Sequence, residues 1–319
     1  SGDYYTSSSL GPVFGALLAR QLEEMWQLLG RQDFTIVEYG AGMGYLCHDI
    51  LDHVKKKPEF YEQLRYCIIE KSESMRQTEH LHLPSDKVHW LDSIQEIKGF
   101  QGCVLSNELL DNFAVHQVFM QQELMEVFVD YQGGFTEVLK PASAALNQYF
   151  SDLNVQLPEG FRTEINLEAI TWIRDIANSL QKGYVLTIDY GYPSAQMYQQ
   201  SHSQGTLTCY HQHQINFDPY QHIGRQDITA HVNFSALCHY GLLNGLSCLG
   251  LTNQAGFLLA LGFKNYFREE KQTPENLLLQ AQTENFLTHT LLVDMGSKYK
   301  VLVQGKGVPQ KVLMGLKIV

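Results

Sequence analysis

Basic residues are scarce in this chain. Its 319 residues include 23 lysines and arginines against 34 aspartates and glutamates, and the formal net charge is −11 at pH 7. A surface that binds the phosphate backbone of DNA or RNA needs an excess of positive charge. The deficit therefore argues against nucleic acid as the main substrate and favours a basic protein or peptide as the partner.

Long apolar runs and paired cysteines are also missing. No stretch of about 18 apolar residues occurs, so we expect no membrane-spanning helix. The six cysteines include no Cys-x-x-Cys pair, and several lie inside apolar runs. This pattern predicts free, buried thiols in a reducing compartment. The composition, 44% hydrophobic and 18% charged, is otherwise ordinary for a globular protein of one large α/β domain or two smaller ones.

A strand, a glycine-rich turn and a helix are predicted between residues 34 and 54. The apolar run at residues 34–37 is typical of a buried strand, and Gly40, Gly42 and Gly44 follow it. Glycines allow a tight turn and the close approach of a ligand, although an ordinary turn between a strand and a helix could also contain them. A dinucleotide fingerprint reads G-x-G-x-x-G. Here the pattern is Glu38-x-G-x-G-x-G, which resembles motif I of class I S-adenosylmethionine (SAM) methyltransferases and disfavours an NAD(P)-linked oxidoreductase.

Predicted strands alternate with predicted helices in the first third of the chain, which indicates βαβ units and a parallel sheet. The pattern changes over residues 115–139, which read as three antiparallel strands, and residues 142–181 read as mostly helical. A further strand is predicted at residues 184–188. Residues 193–231 have little regular pattern, and loops of this length tend to be functional or disordered.

We therefore predict an α/β fold, a mostly parallel Rossmann-like sheet flanked by helices, with an inserted α+β subdomain on the substrate side. The first half of the core covers residues 1–114, and the insertion covers residues 115–181. The second half of the core covers residues 182–319 and includes an active-site loop at 193–231. The antiparallel insertion could pair across a two-fold axis to form a homodimer.

Polar or acidic residues follow each of the five predicted parallel strands. In a doubly wound sheet, ligands bind beyond the carboxyl ends of the strands, so these residues are candidates for the binding site. Solvated strand ends or caps would be the alternative interpretation. The candidates are Glu38, Glu70, Asp92 with Ser93, Asn107 with Glu108, and Asp189.

Each candidate has a physical role in a SAM site. Glu70 could accept hydrogen bonds from both ribose hydroxyls, as the acid after a dinucleotide fingerprint does. Asp92 or Ser93 could bind the adenine edge, and the glycine turn would approach the amino-acid part of SAM. Asn107 and Glu108 would face the sulfonium and methyl, where a carboxylate could balance the positive charge.

The acceptor is predicted from the residues after the fourth strand. Methyl transfer is an in-line displacement, and a guanidinium acceptor would be clamped by carboxylates. Glu108 and Asp111 are three residues apart, so on a helical turn they would share one face. A simple preference for acids at a helix start is the alternative. Asn107 is not followed by Pro-Pro-aromatic, which disfavours methylation of a base amino group.

The histidines offer two further candidates. Cys209, His211 and His213 alternate and would face one side of a strand, but no fourth zinc ligand is evident, so we expect no metal site. His231 could act as a general base near neutral pH or could fix a loop through a hydrogen bond.

Six blocks of the sequence resemble the MidA family, the mitochondrial complex I assembly methyltransferases and their bacterial relatives. The similar blocks are residues 2–7 with 11–15, residues 38–44, residues 106–116, residues 188–192, residues 227–232 and residues 254–262. They cover nearly the whole chain in the right order. One departure is Ala114, where the family usually has proline.

The resemblance implies a class I methyltransferase fold, SAM as the cofactor and, for the mitochondrial member, methylation of an arginine in a complex I subunit. It implies that Asp3 and Thr6 lie in a segment that closes over the cofactor. With Glu108 and Asp111, the strand-end residue Asp189 and the possible general base His231 complete the candidate catalytic residues. It also implies that a natural N-terminal segment precedes Ser1. We expect the cytoplasm as the location in a bacterium and the mitochondrial matrix in a eukaryote. A non-catalytic, SAM-binding assembly factor is the alternative function.

Overall fold

The structure is a computed structural model that describes residues 7–212, 214–269 and 277–318. The chain folds into two compact units. The core unit contains Tyr5–Leu109, Asp175–Asp189 and Gly241–Val319. The inserted unit contains Leu110–Arg174 and Tyr190–Tyr240.

The described strands are numbered in chain order. They are β1 (Phe34–Tyr39), β2 (Leu64–Ile69), β3 (Val88–Leu91), β4 (Phe100–Asn107), β5 (His116–Met120), β6 (Leu124–Tyr131), β7 (Phe135–Pro141), β8 (Arg162–Ile165), β9 (Leu180–Tyr192), β10 (Thr208–His211), β11 (Gln214–Asn216), β12 (Asp227–Thr229), β13 (Val232–Asn233), β14 (Ser247–Asn253) and β15 (Tyr299–Lys306).

The described α-helices follow the same convention. They are α1 (Pro12–Leu28), α2 (Tyr45–Val54), α3 (Pro58–Gln63), α4 (Glu73–His82), α5 (Ala144–Asp152), α6 (Leu167–Ser179), α7 (Ser194–Met197), α8 (Phe234–Leu243), α9 (Gln254–Ala260), α10 (Phe263–Glu269) and α11 (Leu277–Leu287).

The central sheet of the core unit has the strand order β14-β15-β9-β4-β1-β2-β3. The pairs β3–β2, β2–β1, β1–β4 and β4–β9 are parallel, and β14 runs antiparallel to β15. The predicted mostly parallel sheet is confirmed. Strands of such a sheet are covered on both faces, which is why they read as continuous apolar runs. Val37, Ile68, Val104 and Leu186 are fully buried in it.

Helix α1 illustrates how the local sequence builds the layer around this sheet. Pro12 occupies the first turn, where the missing N–H costs no hydrogen bond. Leu18, Leu22 and Met25 recur at helical spacing and are fully buried. The helix packs against α2 and β4, so its apolar stripe closes the core beside the first strands.

The inserted unit is built on antiparallel pairing. Its four-stranded sheet has the order β7-β6-β5-β8, and a second sheet has the order β11-β10-β12. Val118, Leu146, Phe161 and Ile165 form part of its apolar core. The antiparallel strands predicted over residues 115–139 are confirmed.

Two features of the inserted unit differ from the sequence-based prediction. Residues 142–181 contain strand β8 between two helices, because these residues pair with β5, a partner distant in the chain. Residues 190–240 belong to the inserted unit, whereas the prediction assigned 193–231 to the second half of the core. Long-range contacts decide this grouping: the Tyr240 ring stacks on Tyr149, and Tyr240 Oη donates to the Asp152 carboxylate.

Among the described residues, no helix is both long and apolar enough to cross a bilayer.

One glycine in the central sheet yields a stability prediction. Gly102 of β4 has φ of 154°, and a Cβ at this position would lie 1.9 Å from the Thr35 carbonyl oxygen on β1. Because two paired strands would have to separate, we expect Gly102→Ala to lower the free energy of unfolding by about 3 kcal/mol or more. Equilibrium unfolding in urea measures this change.

Gly134 provides the matched control. A Cβ there would meet no atom of the described residues within 4 Å, and its φ is not left-handed. We expect Gly134→Ala to change the free energy of unfolding by less than about 0.5 kcal/mol. Equal effects of the two substitutions would contradict the strand-contact argument.

Candidate active site

The glycine turn after β1 adopts a backbone that requires glycine. Gly40, Gly42 and Gly44 have φ of 66°, 59° and 76°, in the left-handed region that side chains with a Cβ rarely adopt. Gly44 also precedes the first residue of α2 as its N-cap. A Cβ at Gly42 would meet no atom of the described residues within 4 Å, so a ligand can lie against the backbone there.

Glu38 lies just before this turn, and its side chain is buried. Its Oε2 accepts a hydrogen bond of 2.7 Å from Tyr66 Oη on β2. Burial raises the pKa of the Glu38 carboxyl to about 7, and the Tyr66 hydrogen bond opposes that shift. The residue therefore supports the turn from within the sheet. Tyr66 was not predicted, because only the pairing of β1 with β2 brings it to Glu38.

Glu70 and Asp92 end two neighbouring parallel strands, β2 and β3, so they lie at the same edge of the sheet. Glu70 is half-buried, and its Oε1 accepts from the Ser72 N–H at 2.8 Å. The Arg76 guanidinium donates to the Glu70 carbonyl, the Leu91 carbonyl and the Asp92 carboxylate. Arg76 therefore joins the two strand ends. No motif identified it, since a basic residue on a polar helix is common.

Ser93 caps the short 3₁₀ turn that follows β3. Its Oγ accepts from the Gln95 N–H, and the Glu96 carboxylate accepts from the N–H groups of Asp92 and Ser93. The capping box fixes the backbone at the end of β3. The Asp92 side chain remains highly exposed beside Arg76.

Glu108 follows β4 in a left-handed conformation with φ of 52°, which is uncommon for a residue with a Cβ. Its Oε1 accepts from the Ser7 N–H at 2.9 Å and from Asn107 Nδ2 at 3.2 Å, and its Oε2 accepts from Tyr299 Oη at 2.9 Å. Its own N–H donates to the Ile188 carbonyl on β9. A carboxylate fixed by several donors is held in one orientation.

Asp189 holds the backbone after Glu108. It is fully buried at the end of the central part of β9, and its Oδ2 accepts from the Leu109 N–H at 3.2 Å. The parallel pairing of β4 with β9 places the two strand ends side by side. Asp189 thus holds the backbone of Leu109, the residue after Glu108, in place.

The sequence did not identify three further residues around Glu108. Ser7 and Gln254 are fully buried, and Ser7 Oγ donates to Gln254 Oε1 at 3.2 Å. Tyr299, at the start of β15, supplies the hydroxyl that reaches Glu108. Ser7 and Gln254 lie in blocks of the family resemblance, which was the only pattern that pointed to them. Asp3 and Thr6 lie outside the described residues.

Asp111 belongs to the inserted unit. The prediction that Glu108 and Asp111 share a face of one helical turn is wrong, because the 3₁₀ turn covers only Leu110–Asn112 and Glu108 is left-handed. Asp111 is buried, and burial raises the pKa of its carboxyl. Its Oδ1 accepts from Asn112 Nδ2 at 2.8 Å.

An apolar groove of about 350 Å³ adjoins Asp111 within the inserted unit. Val115, Val127, Val129 and Ile228 contribute to its walls. The Asp111 backbone is fixed beside the groove, since its carbonyl accepts from the Ala230 N–H at 3.0 Å. A carboxylate at the edge of an apolar groove can recognise a cation that has an aliphatic stem.

His231 also lies in the inserted unit. Its ring packs edge-on against Tyr190 and near Tyr192, and its backbone N–H donates to Thr206 Oγ1 at 3.1 Å. Burial lowers the pKa of the His231 imidazole to about 4, with His202 as a smaller cause. The ring is therefore neutral at neutral pH and a weak proton acceptor, which disfavours general-base catalysis. The hydrogen bond that fixes the loop here comes from the His231 backbone.

The residues considered for zinc have other contacts. Cys209 is buried on β10, and His211 Nδ1 lies 2.7 Å from the Arg225 carbonyl while its ring stacks on His222. His213 lies outside the described residues. Within the described part of the chain, no group of three or more potential ligands could hold a metal ion.

The raised pKa of Glu38 predicts a pH dependence of stability. Between pH 4.5 and about 7 the folded chain retains a proton that the unfolded chain releases, so the free energy of unfolding falls as the pH rises through this range. We expect Glu38→Gln to reduce this decline by about 3 kcal/mol, while the part caused by buried Asp111, whose pKa is also raised, remains. Urea unfolding at about pH 5 and about pH 8 measures it.

Glu62, an exposed acid on α3, is the control for that experiment. We expect Glu62→Gln to leave the decline as large as in the wild-type chain. A decline of equal size in Glu38→Gln and wild type would show that another group causes it.

Comparisons with known proteins identify the family. A sequence profile of the Methyltransf_28 family, described as S-adenosyl-L-methionine-dependent methyltransferases, matches residues 17–252. "Protein arginine methyltransferase NDUFAF7 homolog, mitochondrial" of Drosophila melanogaster is 25% identical, over 96% of this chain and 76% of that protein. "Protein arginine methyltransferase NDUFAF7, mitochondrial" of Danio rerio is 24% identical, over 82% of this chain and 66% of that protein.

A solved structure is similar over almost the whole chain. The crystal structure of a COG1565 superfamily member from Burkholderia thailandensis, bound to S-adenosyl-homocysteine (SAH), is 30% identical. The similarity covers 98% of this chain and 81% of that chain, with a TM-score of 0.87. This likeness confirms the predicted class I methyltransferase fold.

SAM is the cofactor of this chain, as the sequence predicted. The residues of the core unit fit it: Gly42 leaves open space against the backbone, and Glu70 offers a half-buried carboxylate at the same sheet edge. The matched profile covers most of the chain, and the motifs and the fold agree with it. The chain belongs to the MidA-like family Methyltransf_28 of SAM-dependent methyltransferases.

Proposed function

We propose that this chain methylates the guanidinium group of an arginine in a protein substrate. The observation that carries the proposal is that Asp111, a buried acid, is among the residues that line the apolar groove of the inserted unit. A buried carboxylate is costly unless it is paired. A guanidinium is a planar fork that pairs with a carboxylate through two hydrogen bonds, and apolar walls suit its aliphatic stem.

Two further observations support this acceptor. The Drosophila melanogaster and Danio rerio relatives are named protein arginine methyltransferases. The net charge of −11 favours a basic partner over nucleic acid. The same names contain the word mitochondrial, which agrees with the matrix as the location in a eukaryote. In a bacterium we propose the cytoplasm.

The core unit provides the residues that hold the cofactor. In our proposal Glu70 accepts from the ribose hydroxyls, Asp92 or Ser93 binds the adenine edge, and the glycine turn receives the amino-acid part. Asn107 and Glu108 lie at the sulfonium. When bound, SAM supplies a methyl group on a positively charged sulfur, and transfer needs the acceptor nitrogen in line at about 3–3.5 Å.

The remaining candidate residues support or orient parts of the site, or bind the acceptor. Glu38 supports the glycine turn through its hydrogen bond with Tyr66. Asp189 holds the Leu109 N–H and so fixes the chain beside Glu108. Asp111 binds the acceptor guanidinium, and neutral His231 fixes the loop of residues 227–232. Glu38 and Asp189 orient the site, and Asp111 selects the acceptor.

Glu70 tests the cofactor assignment. We expect Glu70→Ala to weaken SAM binding about tenfold or more, because the ribose loses hydrogen bonds to a charged acceptor. Calorimetric titration with SAM measures the affinity. Glu73, an exposed acid three residues later on α4, provides the control, and Glu73→Ala is expected to bind as the wild type does. Undiminished binding by Glu70→Ala would remove Glu70 from the site.

Asp111 tests the acceptor assignment. We expect Asp111→Asn to lower methyl transfer about 100-fold or more, because the charged clamp is lost, while SAM affinity stays unchanged. The assay transfers labelled methyl from SAM into a lysate of a deletion strain, and mass spectrometry identifies the modified residue. Exposed Glu159→Gln is the control in the same unit. A label on a residue other than arginine would refute the proposed acceptor.

A SAM-binding assembly factor without transferase activity is the second candidate. The observation that favours it is the exposed apolar surface of the β6–β7 hairpin, which includes Phe128, Tyr131 and Phe135. Such a surface suits a partner protein. Asp111→Asn separates the candidates: a variant that loses methyl transfer but restores growth of a deletion strain as well as wild type would support the assembly function.

A further inference from the structure

The hydroxyl of Tyr299 donates a hydrogen bond to Glu108, the carboxylate that the proposed function places at the sulfonium. Tyr299 Oη donates to Glu108 Oε2 at 2.9 Å, and the Tyr299 side chain is buried at the start of β15. This contact joins residues 191 positions apart in the chain. It lies wholly within the core unit.

We propose that Tyr299 is a positioning residue that holds the Glu108 carboxylate in the orientation that distinguishes SAM from SAH. The inference rests on the proposed location of Glu108 at the sulfonium. It adds a residue and a measurable consequence to that proposal. SAM and SAH differ only in the methyl group on the sulfur and in the positive charge that the sulfur of SAM therefore has.

The hydrogen bonds of Glu108 explain why its orientation is fixed. The Ser7 N–H and Asn107 Nδ2 reach Oε1, whereas Tyr299 reaches the other oxygen, Oε2. Ser7 is itself anchored to buried Gln254. Donors on both oxygens restrict rotation of the carboxylate. Without the Tyr299 hydroxyl, Oε2 loses the hydrogen bond that Tyr299 donates, whereas both donors to Oε1 remain.

The left-handed backbone of Glu108 adds to this dependence. A residue with a Cβ adopts φ of 52° only where its surroundings hold it there. The Glu108 N–H bonds the Ile188 carbonyl, and the next N–H bonds Asp189. The backbone is thus fixed by β9, and the side-chain end is fixed by Tyr299.

A carboxylate in a fixed position distinguishes the two ligands by their charge. The sulfonium of SAM is attracted to it, whereas the neutral thioether of SAH gains no such attraction. The ratio of the SAM affinity to the SAH affinity therefore reports on Glu108, while a general loss of site structure would weaken both ligands together.

Calorimetric titrations of SAM and of SAH into the full chain test the proposal. We expect Glu108→Gln to lower the ratio of SAM affinity to SAH affinity about tenfold or more, since the charge is removed. We expect Tyr299→Phe to lower the ratio about three- to tenfold, because it removes one hydrogen bond to a charged group and keeps the ring.

Tyr184 provides the matched control. It is a buried tyrosine on the neighbouring strand β9 of the same sheet, and its hydroxyl has no hydrogen-bond partner among the described residues. Tyr184→Phe is expected to leave the ratio at the wild-type value. Thermal unfolding of each variant verifies that the comparison is made on folded protein.

Other outcomes refute the inference. If Tyr299→Phe weakens SAM and SAH by the same factor, Tyr299 has a structural role only. If it changes neither affinity, the hydroxyl does not position Glu108. The proposed methyl transfer to arginine fails separately, because the lysate assay can show no methylarginine while the change in the affinity ratio persists.

Discussion

The Glu108 carboxylate, fixed by several hydrogen bonds, is the interaction on which the chain at the carboxyl end of β4 depends. Its backbone is left-handed, which costs about 1–2 kcal/mol for a residue with a Cβ. The cost is offset by hydrogen bonds from two distant residues, Ser7 and Tyr299 on β15, and from the adjacent Asn107. Strand β9 completes the arrangement by binding the N–H groups of Glu108 and Leu109.

The parallel sheet provides the frame for this arrangement. Because β2, β1, β4 and β9 run parallel, their carboxyl ends lie along one edge, and the glycine turn, Glu70, Glu108 and Asp189 follow those ends. The strands approach so closely at Gly102 that no side chain fits there. The frame is therefore sensitive to small changes far from the residues that bind the cofactor.

In the proposed function, one unit binds the cofactor and the other binds the acceptor. The core unit contains the residues assigned to SAM, and the inserted unit contains Asp111 and its apolar groove. The chain enters the inserted unit between Leu109 and Leu110, one residue after Glu108. Residues three positions apart in the sequence therefore serve different units, and a periodicity argument that treated them as one helical face could not succeed.

The sequence by itself determined the sheet class, the glycine turn and the acidic strand ends. Buried parallel strands need continuous apolar runs, and a left-handed turn needs glycine, so both leave local patterns. Only the tertiary structure decided which side chains meet: Tyr66 with Glu38, Arg76 with two strand ends, and Tyr299 with Glu108. These partners are set by strand order and register, which bring distant residues together and leave no periodic pattern in the local sequence.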